Sequence, residues 1–370
     1  MTRWDWWRWQ LASRLPWPTI DWLLLLGLVL LCAIGLTTLY SAGGLKFGLV
    51  LNQGLRFGLG FLALWTLASL SPNTLRRWTP PLYLSCLGLL ILVALFGEGR
   101  GAHRWLDLKF VRFQPSEIMK LALPMMLSWY FHRRVLPPSW RDLAACSVLA
   151  VVPCLLVAEQ PDLGTALLIA GAGTFVIFLA GLSWWRICAI MLTTAALLPL
   201  GWQFLMEYQK NRIRVLLDPE ADPLNHGWHI IQSKIAVGSG GAFGKGLGHG
   251  TQTQLAFLPE KHTDFILAVY SEEFGWVGVV LLLLLYFLLI ARCLWIAAHA
   301  GDTYSRLLAG AISMSFFVYV IVNGGMIAGI LPVVGVPLPL VSYGGTSAVS
   351  LLASFGILMS IHGHRQMLAR

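Results

Sequence analysis

The sequence predicts an all-α polytopic membrane protein of about ten transmembrane helices, with one large extracytoplasmic loop between spans seven and eight. Three observations predict it. Of the 370 residues, 57% are hydrophobic and only 12% are charged, where a soluble domain carries about 25% charged residues. Successive apolar runs approach or exceed the ~20 residues a helix needs to cross a hydrocarbon core of about 30 Å. One stretch, 207–263, breaks the pattern by being long, polar, charged and glycine-rich. No soluble enzyme class fits this composition, and the whole of 1–370 reads as one integral membrane domain.

The opening segment, 1–18, carries four tryptophans in its first nine residues, interleaved with Arg3, Asp5 and Arg8. That suits an interfacial segment with indoles at headgroup depth. It is not expected to be a cleaved signal, since the run from Ile20 is span-length and lacks a small-residue cleavage site. The expected spans are 20–41, 47–70, 80–97, 116–132, 142–159, 163–182, 184–206, 264–292, 305–331 and 340–362. A tight turn at Gln160–Pro161–Asp162 separates the fifth and sixth. The prolines of LPVVGVPLPLVS forbid a continuous helix between the last two. The six cysteines (Cys32, Cys86, Cys146, Cys154, Cys188, Cys293) sit in or beside spans without a C-x-x-C pair, so they read as small buried hydrophobes.

Charge orients the bundle. With an even number of spans both termini share one side. That side collects thirteen arginines and no lysine, against Asp5, Asp21, Asp142 and Asp302, and the difference of 13 − 4 is the whole formal net charge of +9. Basic excess at span ends marks the cytoplasm, so the termini are expected inside and the 207–263 loop outside. Basicity here serves topology and lipid contact; nothing calls for nucleic acid.

Charges within spans are expensive in lipid and usually functional. Glu117 and Lys120 share a helix face at i,i+3; they form either a neutralised pair or the polar floor of a substrate cavity. Glu272 and Glu273 are adjacent, so they point apart and read as internal hydrogen-bonding groups. Arg56 is expected to snorkel to the outer interface. In the turn AEQPDLGT, Asp162 suits helix capping, while Glu159, Gln160 and Asp162 also place polar groups at the mouth of the bundle. Upstream of Glu117, the tract with Arg100, Arg104, Lys109 and Arg112 adds cations on the same side.

The loop segment 238–250 holds seven glycines and Lys245. It matches neither G-x-x-x-x-G-K-[ST] nor a strand-borne G-x-G-x-x-G. Two readings stay open: a flexible surface loop, or a backbone that approaches an anion with Lys234, Lys245 and Lys261 nearby. Asp264, where the loop meets the eighth span, is the candidate catalytic residue. Thr263 is expected to cap that helix, leaving Asp264 in its first turn and ionised by the dipole. With His262 and Lys261 beside it, an ionised carboxylate there suits a general base. It has no evident second carboxylate for a glycosidase pair.

Several motifs together resemble the SEDS family (shape, elongation, division and sporulation). They are RWLDL at 104–108, VRFQPSEIMK at 111–120, AEQPDLGT at 158–165, LLDPEADP at 216–223, the run from Gly227 to Ile266, and GILPVVGVPLPLVSYGG at 329–345. The short N-terminus is more similar to the elongation branch than to the division branch. The resemblance implies a peptidoglycan glycosyltransferase that polymerises lipid II at the outer face of the bacterial cytoplasmic membrane. It implies Asp264 as the essential aspartate. Glu117, Lys120, Asp162 and Arg212 fall on family positions, and Gln160, Lys234, Lys245 and His262 join them as candidate substrate contacts. It also implies a divalent cation, magnesium or manganese, for which no ligand cluster stands out. The implied partners are a class B penicillin-binding protein, an elongation complex with MreB-type filaments, and undecaprenyl-diphosphate-linked glycan. The competing expectations are a lipid II flippase and a non-catalytic scaffold.

Overall fold

A computed structural model describes residues 20–96, 106–107, 112–204, 206–221, 226–254 and 260–368. The tryptophan-rich segment 1–18 and the side chains of Arg100, Arg104, Lys109 and Arg112 lie outside the described residues. The ten expected spans appear as ten long helices: α1 (Trp22–Ala42), α2 (Phe47–Ser69), α3 (Pro72–Phe96), α4 (Pro115–His132), α5 (Trp140–Glu159), α6 (Leu163–Leu179) and α7 (Trp184–Phe204) come before the polar stretch. After it come α11 (Ile266–Ala298), α12 (Thr303–Ile327) and α13 (Thr346–Leu368). Eight of these are long and apolar enough to cross a membrane, and α6, at 17 residues, is a shorter apolar helix. The remaining helix, α4, carries Glu117 and Lys120 in its first two turns. The chain is a multi-pass membrane protein.

The described residues of the polar stretch carry regular structure of their own. It forms α8 (Glu207–Leu217), a 3-10 turn at Pro219–Ala221, α9 (His226–Ser239) and the single turn α10 (Thr251–Gln254). Helix α9 packs against α11 and α12, with Ser233 Oγ donating to the Ile327 carbonyl at 3.1 Å. A two-residue antiparallel ladder, Leu106–Asp107 with Arg112–Phe113, leads into α4.

Helices α2 and α13 pack along their length, with Gly60 facing Leu352 and Gly356 facing the Leu64 carbonyl. Small residues let helix backbones approach where lipid gives no hydrophobic drive. Among its described residues helix α7 buries none within the chain and presents Cys188 outward, so that cysteine departs from the buried expectation. The other cysteines are buried or half-buried and unpaired.

One end of the bundle is tied by the acids and arginines that the charge count grouped together. Arg292 Nε meets Asp21 at 2.8 Å, joining α11 to the start of α1. Arg76 Nη1 lies 2.7 Å from His132, which faces Asp302 at 3.8 Å. Asp142 closes a capping box with Ser139 at the head of α5. Alternation of successive helices puts Asp21, Arg76, His132, Asp142, Arg292 and Asp302 at the same end of the bundle.

Candidate active site

Helix α11 is broken at its tenth residue. Gly275 takes φ 66° and ψ −167°, which no helix accommodates. The break frees the carbonyls of Glu272 and Glu273, and they accept from Lys245 N and Gly246 N at 3.0 Å each. In return Trp276 N and Val277 N donate to the Gly241 and Ala242 carbonyls at 2.9 and 3.0 Å. The glycine-rich segment therefore supplies the backbone partners that a broken helix lacks in lipid. Its glycines are required by contact: a Cβ at Gly240 would strike the Ser271 carbonyl, and one at Gly244 the Glu273 carbonyl.

The segment is docked on the broken helix through its backbone. Lys245 Nζ pairs with the fully buried Glu272 at 2.7 Å and also donates to Ser239 and Thr251. Glu272 accepts further from Thr251 Oγ1 at 3.0 Å and Gln252 N at 3.1 Å. Glu273 accepts from Ser41 of α1 and from Gly248 N. The two glutamates are the internal hydrogen-bonding groups expected, and Lys245 pairs with one of them, outside the lining of the cavity around Asp264.

The chain then turns through Glu260–Asp264 into α11. Thr263 does not cap the helix; its hydroxyl bonds Glu260 within the same turn, and the N-cap position belongs to Phe265, without a side-chain cap. Asp264 thus precedes the helix instead of lying in its first turn. Its backbone is fixed from the other side. Asn323 Nδ2, fully buried on α12, donates to the Asp264 carbonyl at 2.9 Å and to the Val336 carbonyl at 2.8 Å. Ser342 Oγ donates to the Thr263 carbonyl at 2.6 Å, and Tyr343 N to the His262 carbonyl at 2.8 Å. The proline-interrupted segment before α13 is therefore the bed on which Asp264 lies. These supports were not singled out from sequence; a lone Asn in the apolar run of α12 was the available signal.

Asp264 lines a cavity of about 2140 Å³. Its polar end also carries Glu260, Arg212, Asp162 and Gln114, then Glu117, Lys120, Tyr319 and Ser350. Its other end is apolar and runs between α2, α3, α4 and α13, past Leu67, Leu70, Trp78, Met125 and Ile357. Burial, and then the negative charge of Glu260, raise the Asp264 pKa to about 6, against the opposing pull of Arg212. The expected helix-dipole stabilisation is thus corrected, since Asp264 precedes the helix and desolvation dominates; a pKa of about 6 still leaves the carboxylate mostly ionised at neutral pH. Glu260 is the second carboxylate that the sequence did not reveal.

Lys120 Nζ binds Glu117 Oε1 at 2.7 Å and sits 5.3 Å over the Tyr319 ring, while Ser350 Oγ donates to Glu117 Oε2 at 3.1 Å. The pair is both neutralised and open to the cavity. Asp162 caps α6 through Thr165 N at 3.3 Å and accepts from Gln114 at 3.1 Å. Gly164 beside it abuts the Val334 carbonyl, drawing this turn to the cavity wall.

Other candidates fall elsewhere. Gln160 is buried and donates to the Leu90 carbonyl at 3.2 Å, away from the cavity lining. Lys234 is exposed, with its side chain against Gly329, and does not line the cavity. His262 contributes its carbonyl rather than its ring to the turn; burial, then Lys261, lowers its pKa and keeps it neutral. Arg56 does not snorkel outward but turns into the cavity, 4.5 Å from the Tyr343 ring centroid. Among the described residues no group of three or more His, Cys, Asp or Glu side chains comes together to hold a metal. The side chains present therefore do not fit a cation caged by protein ligands alone.

Fold and site define a class: a multi-pass membrane protein with a half-buried carboxylate at the polar mouth of a long, apolar-ended cavity. The chain belongs to the FtsW/RodA/SpoVE family, described as cell cycle protein, whose model matches residues 13–367. It is 52% identical over 353 residues to the peptidoglycan glycosyltransferase MrdB of Escherichia coli K12, covering 95% of each chain. It is 37% identical to a probable peptidoglycan glycosyltransferase FtsW of Trichlorobacter lovleyi, covering 92% of each. Among solved structures, the Thermus thermophilus rod shape determining protein RodA superposes with a TM-score of 0.72 at 31% identity, covering 94% of this chain and 98% of that one. A chain from a peptidoglycan synthase complex that coordinates polymerization and crosslinking superposes with a TM-score of 0.83 at 34% identity, covering 94% and 99%.

Proposed function

We propose that this chain is a peptidoglycan glycosyltransferase that polymerises lipid II at the outer face of the bacterial cytoplasmic membrane during cell elongation. The observation that carries the reading is the shape of the cavity. Its polar end presents Asp264 and Arg212, and its apolar end descends among membrane helices. A sugar on a polyprenyl diphosphate has the same two halves.

Asp264 takes the proton of the acceptor sugar's 4-hydroxyl. The hydroxyl oxygen bonds to the anomeric carbon of the growing chain, and the bond from that carbon to the lipid diphosphate breaks with inversion. A base with a pKa of about 6 is matched to this task near neutral pH. Arg212 stabilises charge on the leaving diphosphate, as a guanidinium fork suits phosphate. Glu117 and Lys120 form a polar floor that orients the sugars, with Asp162 beside it. Lys234 and Lys245, outside the cavity lining, take no part in this scheme. A divalent cation is part of the proposal only as a companion of the substrate diphosphates, and no step depends on it.

The termini are placed in the cytoplasm and the 207–263 region outside, from the arginine count. A class B penicillin-binding protein is the proposed partner, within an elongation complex organised by MreB-type filaments; the structural likeness to a chain of a synthase complex supports the former. The test uses purified chain with its partner transpeptidase and lipid II, with glycan strands read on a gel. Wild type should polymerise and Asp264→Ala should not. Lipid II crossing vesicle membranes without polymer would favour a flippase, and unaltered polymerisation by Asp264→Ala would remove the role given to that residue. The inner end of the cavity carries no charged side chain among the described residues, which weighs against a polar path across the bilayer.

A further inference from the structure

We propose that Arg56 binds a lipid diphosphate, forming a phosphate site separate from Arg212 at the head of the cavity's apolar groove. It presupposes a polyprenyl-diphosphate substrate, as proposed above. Arg56 is the tenth residue of α2, roughly 14 Å along the helix at about 1.5 Å per residue. A guanidinium at that depth is costly in lipid and is kept where it has an anionic or polar partner. Yet among the described residues no carboxylate pairs with it and no protein group accepts a hydrogen bond from it. What holds it is the face of Tyr343, 4.5 Å away. Stacking on a ring occupies the guanidinium face and leaves its edge donors free, the fork that matches phosphate oxygens.

The surroundings give that fork room. Gly345 lies beside it, and a Cβ there would stand 3.6 Å from Arg56 Cζ. Gly344, Gly345 and Arg56 all line the cavity. Tyr343 is itself anchored to the Asp264 turn, through its N–H to the His262 carbonyl at 2.8 Å. The backbone that carries the Tyr343 ring is thus tied to the turn that carries Asp264. From Arg56 the groove continues inward along α2, past Leu59, Leu67 and Leu70, to Trp78 on α3. A diphosphate at Arg56 would place its prenyl chain in that groove. The reaction uses two lipid-linked sugars, so two arginines in one cavity provide a phosphate site for each.

The experiment measures binding of undecaprenyl diphosphate to the full chain in detergent, for wild type, Arg56→Gln and Arg56→Lys, with undecaprenol as a neutral control. Loss of a charge-assisted contact should weaken diphosphate binding about tenfold in Arg56→Gln. Arg56→Lys should retain part of it, and undecaprenol should bind all three alike. In polymerisation, the KM for lipid II should rise more than kcat falls. Equal diphosphate affinity in Arg56→Gln overturns the proposal. So does an equal loss for undecaprenol, which would mark a packing role, or displacement by phosphatidylglycerol at matched concentration, which would assign the arginine to bulk headgroups. If wild type binds undecaprenyl diphosphate through Arg56 but makes no polymer, the glycosyltransferase reading fails while this site stands.

Discussion

At the level of single residues, the proposed role of Asp264 as a base depends on where its neighbours stand. With a pKa near 6, its deprotonated form is complete well above that pH and is lost as pH falls through it. The pH profile of kcat/KM should therefore show an acid limb near 6, falling roughly tenfold per pH unit below it. The direction of perturbation is fixed by the charges. Glu260 raises the Asp264 pKa and Arg212 lowers it. Glu260→Gln should move the limb to lower pH and Arg212→Gln to higher pH, beyond any change in rate. A limb that stays in place in both variants would disconnect it from Asp264.

At the level of elements, the broken α11 and the glycine-rich segment are one structural unit. Gly244 has φ +80° and no space for a Cβ against the Glu273 carbonyl. Gly244→Ala should cost on the order of 1–3 kcal/mol from backbone strain alone, seen as a lowered thermal midpoint in detergent. Lys245→Met leaves the buried Glu272 carboxylate without its cation, at a cost of about 3 kcal/mol. The double variant with Glu272→Gln should recover part of that stability. No recovery would mean that the ion pair is not the main tie between segment and helix. Residual polymerisation by Lys245→Met, scaled to folded protein, should match wild type, since Lys245 lies outside the cavity.

At the level of the whole molecule, the even span count and the arginine-rich end make a topological prediction. Phe243 is 83% exposed in the glycine-rich segment and Val135 is 88% exposed at the opposite end, between α4 and α5. In a background with Cys188 replaced by Ser, Phe243→Cys should react with an impermeant maleimide in intact spheroplasts. Val135→Cys should react only after the membrane is opened. The reverse pattern would invert the bundle and move Asp264 to the cytoplasm.

Much of this was legible in the chain itself. The ten helices follow from apolar runs of sufficient length. Asp162 as a cap, Glu117 with Lys120 as a pair, and Asp264 at the loop's end follow from local spacing and motif. These are short-range properties, set within a few residues. Tertiary structure decided everything that depends on distant partners. The apolar run of α11 reads as continuous, and only the docked segment 240–248 reveals that Gly275 breaks it. That docking holds Lys245 away from the cavity lining, where a buried glutamate 27 residues away pairs with its charge. Arg56 was read as snorkelling, because a single helix does not say which of its faces meets Tyr343, nearly three hundred residues later. The influence acting on Asp264 was misjudged for the same reason: the helix dipole is visible in sequence, but burial and the charge of Glu260 are consequences of packing. Sequence by itself determined the membrane class and the span order. Only the folded chain decided which cations reach the cavity, since charge placement is settled by the nearest partner in space.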